Sequence, residues 1–371
     1  MIVLIALAAL FVALANGAND NFKGVATLHG TGTMTYRRAL AWATVTTLAG
    51  SLSAILLSSG LMQRFSGKGL VADAVAADPA FLLSVAFAAA GTVLLATRLG
   101  FPVSTTHALL GGLVGAGLVV AGPRQISYAT LGRSFVVPLL FSPLVAMLLA
   151  AAVYVAFRGA RRLLGVDEQT CICIGGVEEL ATYVPGAGAV RLSSGITLSV
   201  DQLERCERRY TGRVFGVDAQ SALDRLHVLS AGAVGFARGL NDTPKIVALL
   251  VAARAVGVGS GMAVVAAAMV AGGVLYARRV ARTMAFGITG MNHGQGFSAN
   301  VVTAALVTLA SPLGLPVSTT HVSCGALFGI GAVNGEARKS TIAQILAAWV
   351  TTLPVAALLA AAAAGMASVI R

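Results

Sequence analysis

The hexapeptide PVSTTH occupies residues 102–107 and returns letter for letter at 316–321, both times at the head of a glycine-rich apolar run. A proline, three consecutive hydroxyl residues and a histidine interrupt hydrophobic sequence, so the string marks a place where polar groups are carried into an apolar setting. Composition says how apolar: 57% of the 371 residues are hydrophobic, 11% are charged, and the mean hydropathy is +0.85. A water-soluble domain cannot bury that much. Tracts close to the ~20 residues that cross a bilayer core run at 1–18, 39–62, 79–98, 101–121, 134–157, 226–252, 257–276, 296–313, 315–335 and 342–369. They do not alternate polar and apolar residues as barrel strands do, so helices are expected.

The first tract ends near Ala13-Leu14-Ala15, which resembles a signal-peptide cleavage site. No Lys or Arg precedes Lys23, however, and a matching element recurs near residue 240, so residues 1–18 are expected in the mature protein. The net charge of +12 follows membrane orientation rather than a nucleic-acid surface, because aromatic interleaving is absent. With the N-terminus outside and ten crossings, Arg37, Arg38, Arg98, the middle loop, Arg278, Arg279, Arg282, Arg338 and Lys339 all face the cytoplasm. Cys171, Cys173 and Cys206 lie in that loop and Cys324 in an apolar tract; they lack a metal-binding spacing and are read as reduced thiols.

Residues 158–225 form the long polar stretch, expected as a cytoplasmic loop with a small hairpin within 181–200 and a short surface helix at 201–212. It separates a first membrane repeat, 1–157, from a second, 226–371. The two match in order: NGANDNFKG (16–24) then GFPVSTTHALLGGLVGAG (100–117), against RGLNDTPKI (238–246) then GLPVSTTHVSCGALFGIG (314–331). Five crossings per copy make the second enter from the opposite side, the inverted-repeat plan of secondary transporters. The expected fold is therefore an all-α integral membrane protein of two inverted repeats with broken or re-entrant helices, about 10–12 membrane segments in all.

Two polar islands per repeat carry the chemistry. Asn19-Asp20 and Asn241-Asp242 follow Gly17 and Gly239, where the helices are expected to loosen. Lys23 and Lys245 stand three residues on, on the same helical face, as charge partners. Such pairs are either structural or belong to an ion site, and the duplication favours the site. Pro102 and Pro316 suit a first helical turn. Behind them a helix start lined by Ser104, Thr105 and Thr106, or by Ser318, Thr319 and Thr320, offers N–H groups, hydroxyls and a positive dipole end to an anion. The string occurs twice, on this reading, because one site draws on both copies. His107 and His321 are candidates for a proton relay, a pH-sensitive group or a simple carbonyl hydrogen bond. The glycines at 111, 115, 325 and 329 are read as helix-packing positions.

GANDN followed by PVSTTH, repeated as LNDTPK and PVSTTH, resembles the inorganic phosphate transporter (PiT) family over both membrane repeats. The resemblance implies a dimeric symporter in the cell membrane that imports phosphate with sodium or protons. It implies that Asn19, Asp20, Asn241 and Asp242 contribute to phosphate and cation sites, and that the S-T-T runs hold phosphate oxygens. No other cofactor is implied. The chain departs from the common pattern at Lys23, where a small residue is usual, and at Asn300, where a carboxylate is common. Sulfate or a metal–phosphate complex is the alternative cargo. An intramembrane hydrolase, with Ser104 or Ser318 as nucleophile and His107 or His321 as base, is a remote alternative, as is an anion channel; no enzyme is expected.

Overall fold

The computed structural model describes residues 1–167, 170–180, 191–202 and 215–370, in two compact units: Met1–Tyr154 with Val228–Arg371, and Val155–His227. Ten principal helices follow the ten apolar tracts: α1 (Ile2–Asp20), α2 (Tyr36–Leu57), α3 (Pro79–Leu99), α4 (Thr105–Val120), α5 (Val137–Leu163), α6 (Ala219–Ala252), α7 (Val258–Tyr276), α8 (His293–Ala310), α9 (Thr319–Asn334) and α10 (Lys339–Ile370). Six helical stretches among the described residues are long and apolar enough to cross a bilayer: Ile2–Gly30, Tyr36–Leu57, Pro79–Leu99, Tyr128–Leu163, Val258–Tyr276 and Lys339–Val369. The helices behind the repeated hexapeptide, α4 and α9, have 16 residues each. At ~1.5 Å per residue they fall short of a ~30 Å hydrocarbon core, as broken membrane helices do.

The unit Val155–His227 carries a three-stranded antiparallel sheet in the order β2-β1-β3, with β1 at Thr170–Leu180, β2 at Arg191–Gln202 and β3 at Phe215–Asp218. The strand at 191–202 pairs along its length with 170–180 rather than within a hairpin confined to 181–200. Residues 181–190 lie outside the described residues. Of the helix expected at 201–212, Asp201 and Gln202 belong to β2 and 203–212 lie outside the described residues. Asp218 links β3 to α6 by accepting the N–H and the Oγ–H of Ser221, each at 2.7 Å, and these bonds hold its carboxyl below the usual range.

Three local expectations change. Pro102 and Pro316 stand before the helices, not in their first turns: Ser104 and Ser318 are the N-caps, each accepting the main-chain N–H of the histidine three residues on, at 3.1 and 3.2 Å. A serine with a free N–H three residues ahead is a ready cap, and the prolines keep the chain extended up to it. Gly100 (φ +81°) and Gly314 (φ +65°) turn the backbone just before each extended segment, a conformation that a β-carbon would strain. The tract at 39–62 breaks at Ser58, between α2 and a short helix at Ser59–Phe65. The two Asn-Asp islands also differ. After Asp20 the helix gives way to a 3₁₀ turn at Lys23–Val25, whereas α6 runs unbroken through Asn241-Asp242 despite Pro244. Pro244 has no N–H for the Leu240 carbonyl, and Ser58 Oγ supplies it instead at 3.0 Å.

Close backbone contacts relate the two repeats. An offset of 222 residues takes Gly17 to Gly239 and Gly50 to Gly272. A β-carbon would meet the Met269 carbonyl at 1.9 Å from Gly17 and the Thr47 carbonyl at 2.1 Å from Gly239, its counterpart. It would likewise meet the Phe236 carbonyl from Gly50 and the Leu14 carbonyl from Gly272, both at 1.9 Å. Gly111 and Gly115 of α4 lie on Leu353 and Ala357 of α10, while Gly325 and Gly329 of α9 lie on Pro143 and Met147 of α5. Each of these contacts recurs with the repeats exchanged.

Three stability tests follow from these contacts. Gly115→Ala places a methyl 2.0 Å from the Ala357 carbonyl and is expected to cost about 1–3 kcal/mol, read as a lower melting temperature in detergent. Gly365→Ala, with nothing within 4 Å, is expected to be neutral or stabilising by up to about 1 kcal/mol. Ser58→Ala strands the Leu240 carbonyl at an expected cost of about 1–3 kcal/mol, and that cost is expected to shrink when Pro244→Ala restores the missing N–H.

Candidate functional site

The conserved order of polar islands within the two repeats becomes a single buried cluster. Asn16, Asn19, Asp20 and Lys23 come from α1 and the turn after it, Arg238, Asn241, Asp242 and Lys245 from α6, and all eight are between 0 and 4% exposed. Carrying five charged side chains into that environment costs several kcal/mol each unless every one is partnered. Lys23 pairs with Asp20, and Lys245 Nζ lies 3.4 Å from Asp242 Oδ1. Arg238 Nε lies 3.8 Å from Asp242 Oδ2. Asn16 Nδ2 joins the two acids: it donates to Asp20 Oδ2 and Thr105 Oγ1 at 3.0 Å and reaches Asp242 Oδ2 at 3.4 Å.

The hydroxyl runs enter this cluster crosswise. Lys23 Nζ donates to Thr320 Oγ1 at 2.5 Å, in the second repeat, and Lys245 Nζ donates to Thr106 Oγ1 at 2.7 Å, in the first. Thr319 Oγ1 donates to Asp242 Oδ2 at 3.3 Å, and Thr320 Oγ1 is 2.8 Å from the Val103 carbonyl. The two helix starts thus meet across residues more than two hundred apart in sequence. Ser104 and Ser318 contribute mainly as caps, as described above, and each keeps its O–H to donate.

The asparagines hold backbone. Asn19 Nδ2 donates to the Phe101 carbonyl at 3.0 Å and its Oδ1 accepts the Val103 N–H at 3.1 Å, so one amide satisfies both edges of the unwound segment. Within the second repeat, Asn241 Nδ2 likewise donates to the Val317 carbonyl at 3.2 Å. Thr97 and Ser311, equivalent residues at the ends of α3 and α8, bond Asn19 and Asn241 at 2.8 and 3.3 Å. The rings of His107 and His321 lie with centroids 4.4 Å apart and planes inclined at 53°, and His321 meets Trp349 at 3.8 Å and 38°. Trp349 Nε1 donates to the Pro102 carbonyl at 3.0 Å, pinning the first hexapeptide to α10. Asn300 donates to Thr27 Oγ1 at 2.9 Å.

Arg238 is the residue that motif reading passed over. Its guanidinium donates to Asn16 Oδ1 at 2.7 Å, Asn21 Oδ1 at 2.9 Å and Thr47 Oγ1 at 3.2 Å, tying the two repeats together at one side chain. The signal was present: an arginine one helical turn before Asp242 inside an apolar tract, aligned with Asn16 in the other copy. Asn16 itself carried the same signal.

A multi-pass helical membrane protein whose twin repeats pool their polar residues in one buried cluster is built like a secondary transporter. The chain belongs to the phosphate transporter family, whose family model matches residues 16–360. It is 28% identical to the chloroplastic inorganic phosphate transporter 2-1 of Arabidopsis thaliana, over 93% of this chain and 68% of that one. A Haemophilus influenzae chain that carries a phosphate-permease name is 27% identical over 94% of this chain and 92% of its own. A solved structure titled "The sodium-dependent phosphate transporter" superposes with a TM-score of 0.75 at 21% identity, covering 100% of this chain and 99% of that one, a match of fold.

Arg238→Met is expected to lower stability by about 3–5 kcal/mol, because it leaves Asp242 and two amide oxygens short of a partner in a buried site. Thermal unfolding in detergent checks it, with the exposed Arg254→Met as a control expected within about 0.5 kcal/mol.

Proposed function

We propose that this chain imports inorganic phosphate across the cell membrane by alternating access, as a symporter driven by sodium or protons. One observation carries the reading: two hydroxyl-lined helix starts, one from each repeat, converge on a buried pair of aspartates and reach each other's lysines. Helix starts present N–H groups that have no intrahelical acceptor, and hydroxyls extend that donor set toward a tetrahedral oxyanion. Asn19, Asp20, Asn241 and Asp242 form the cation side, and Ser104, Thr105, Thr106, Ser318, Thr319 and Thr320 the phosphate side. His107 and His321, whose ring centroids lie 4.4 Å apart, are the proton-relay pair on this reading. On this reading the N-terminus is outside, the loop 158–225 is cytoplasmic and the repeats are inverted. The working form is a homodimer.

Alternating access needs two arrangements of near-equal energy, and twin repeats supply them by exchanging conformations. The unequal state of the two islands supports this. One repeat is broken after Asp20, while the other is continuous through Asp242. The hydrolase reading loses support from the serine caps: Ser104 and Ser318 accept main-chain N–H groups of His107 and His321, not their rings.

In reconstituted vesicles, labelled phosphate is expected to accumulate uphill under an imposed cation gradient, unmoved by a tenfold excess of sulfate. Asp20→Asn and Asp242→Asn are each expected to cut uptake at least about tenfold, equivalent to roughly 1.4 kcal/mol. Full uptake by both variants removes the aspartates from the mechanism. Sulfate winning the competition reassigns the cargo, and downhill movement alone makes the protein a channel.

A further inference from the structure

Both lysines of the cluster have more oxygen ligands than ion pairing asks for. Lys23 Nζ is surrounded by the Asp20 carboxylate, Asn19 Oδ1 at 2.8 Å, the Val103 carbonyl at 3.0 Å and Thr320 Oγ1 at 2.5 Å. Lys245 Nζ has Thr106 Oγ1 at 2.7 Å, the Val317 carbonyl at 2.9 Å and Asp242 Oδ1 at 3.4 Å, with the Phe65 ring centroid 5.6 Å away. Val103 and Val317 are equivalent residues of the two unwound segments, each immediately before its N-cap. Carboxylate, amide oxygen, hydroxyl and a carbonyl freed by unwinding are the ligands with which broken membrane helices hold a monovalent cation. An ammonium carries the same single charge and three donors to point at them.

We infer that Lys23 and Lys245 are built-in counterparts of a coupling cation, one in each repeat, so that sodium has no site to fill and anion movement proceeds without it. The charge balance agrees. Asp20 and Asp242 against Lys23, Lys245 and Arg238 leave the buried cluster at +1. A sodium ion entering here must either displace an ammonium from its oxygens or raise that sum to +2. In a water-poor interior the second course costs several kcal/mol. A phosphate monoanion brings the sum to zero, so the site as built is complete on the cation side and lacks only the anion. This inference takes the identity of the anion from the reading above; its cation half stands separately and is tested separately.

The test heats the full-length protein in detergent in equimolar sodium chloride or choline chloride. Wild type is expected to melt at the same temperature in both, within about 1 °C, since a ligand raises the melting point only by binding the folded state. Lys23→Ala vacates one oxygen cage and is expected to gain a sodium-specific rise of several degrees. A sodium-specific rise in the wild type overturns the inference, and so does a folded Lys23→Ala protein that gains none. If that variant does not fold, the wild-type comparison decides. In vesicles, initial phosphate uptake is expected to agree within about threefold between sodium and choline at equal pH gradient, and a larger stimulation by sodium also overturns it. Absence of phosphate uptake in both salts counts against phosphate as the cargo and leaves the melting comparison to decide on the lysines.

Discussion

Hydrocarbon cannot solvate charge, and this chain sets five charged side chains inside it. Everything around the cluster follows from the need to partner them. Asn16 is the hinge of the arrangement, because its one amide donates toward both Asp20 and Asp242 while its oxygen accepts from Arg238. Two like charges drawn that close are tolerated only with cations beside them, and Lys23, Lys245 and Arg238 supply these. The same constraint explains why the unwound PVST segments are stitched by asparagine amides and threonine hydroxyls rather than left open. Main-chain groups that leave a helix in a membrane interior must find other partners.

Packing supplies the geometry that charge alone cannot. The glycines bring helix backbones into contact at Gly17, Gly50, Gly239 and Gly272, and at α4 on α10 and α9 on α5. With no hydrophobic drive between helices in lipid, close backbone approach is the available source of tight association. Because each such contact recurs with the repeats exchanged, the polar islands are brought to one place from two directions. The cluster is a product of the symmetry as much as of the motifs. The departures from symmetry are then informative: the break after Asp20 and the unbroken α6, helped past Pro244 by Ser58, hold the two copies in different conformations.

Much is legible in the sequence. The ten apolar tracts, the internal duplication, the two islands per repeat and the Asp–Lys spacing all rest on local composition and helical periodicity, which the chain writes in consecutive letters. Less legible were the details that depend on a neighbour elsewhere. The prolines pointed to a first helical turn, but capping by serine moved the helix start to Thr105 and Thr319. The loop's β-branched residues were visible, yet the partner of 191–202 lay upstream at 170–180. Arg238 stood within a quoted motif without a role, because its meaning lies in Asn16 and Asn21, more than two hundred residues away.

By itself the sequence determined that this is a membrane protein of paired repeats carrying acid, amide, hydroxyl and amine groups at matched positions. Those properties follow from hydropathy and from motif order, both short-range in the chain. Only the tertiary structure decided that each lysine reaches the threonine of the other repeat, and that one arginine and one asparagine join the two acids. A helix periodicity says which face a residue occupies; it does not say which distant helix will cover that face. That choice is made by glycine contacts and by the cost of leaving any of these charges alone in lipid.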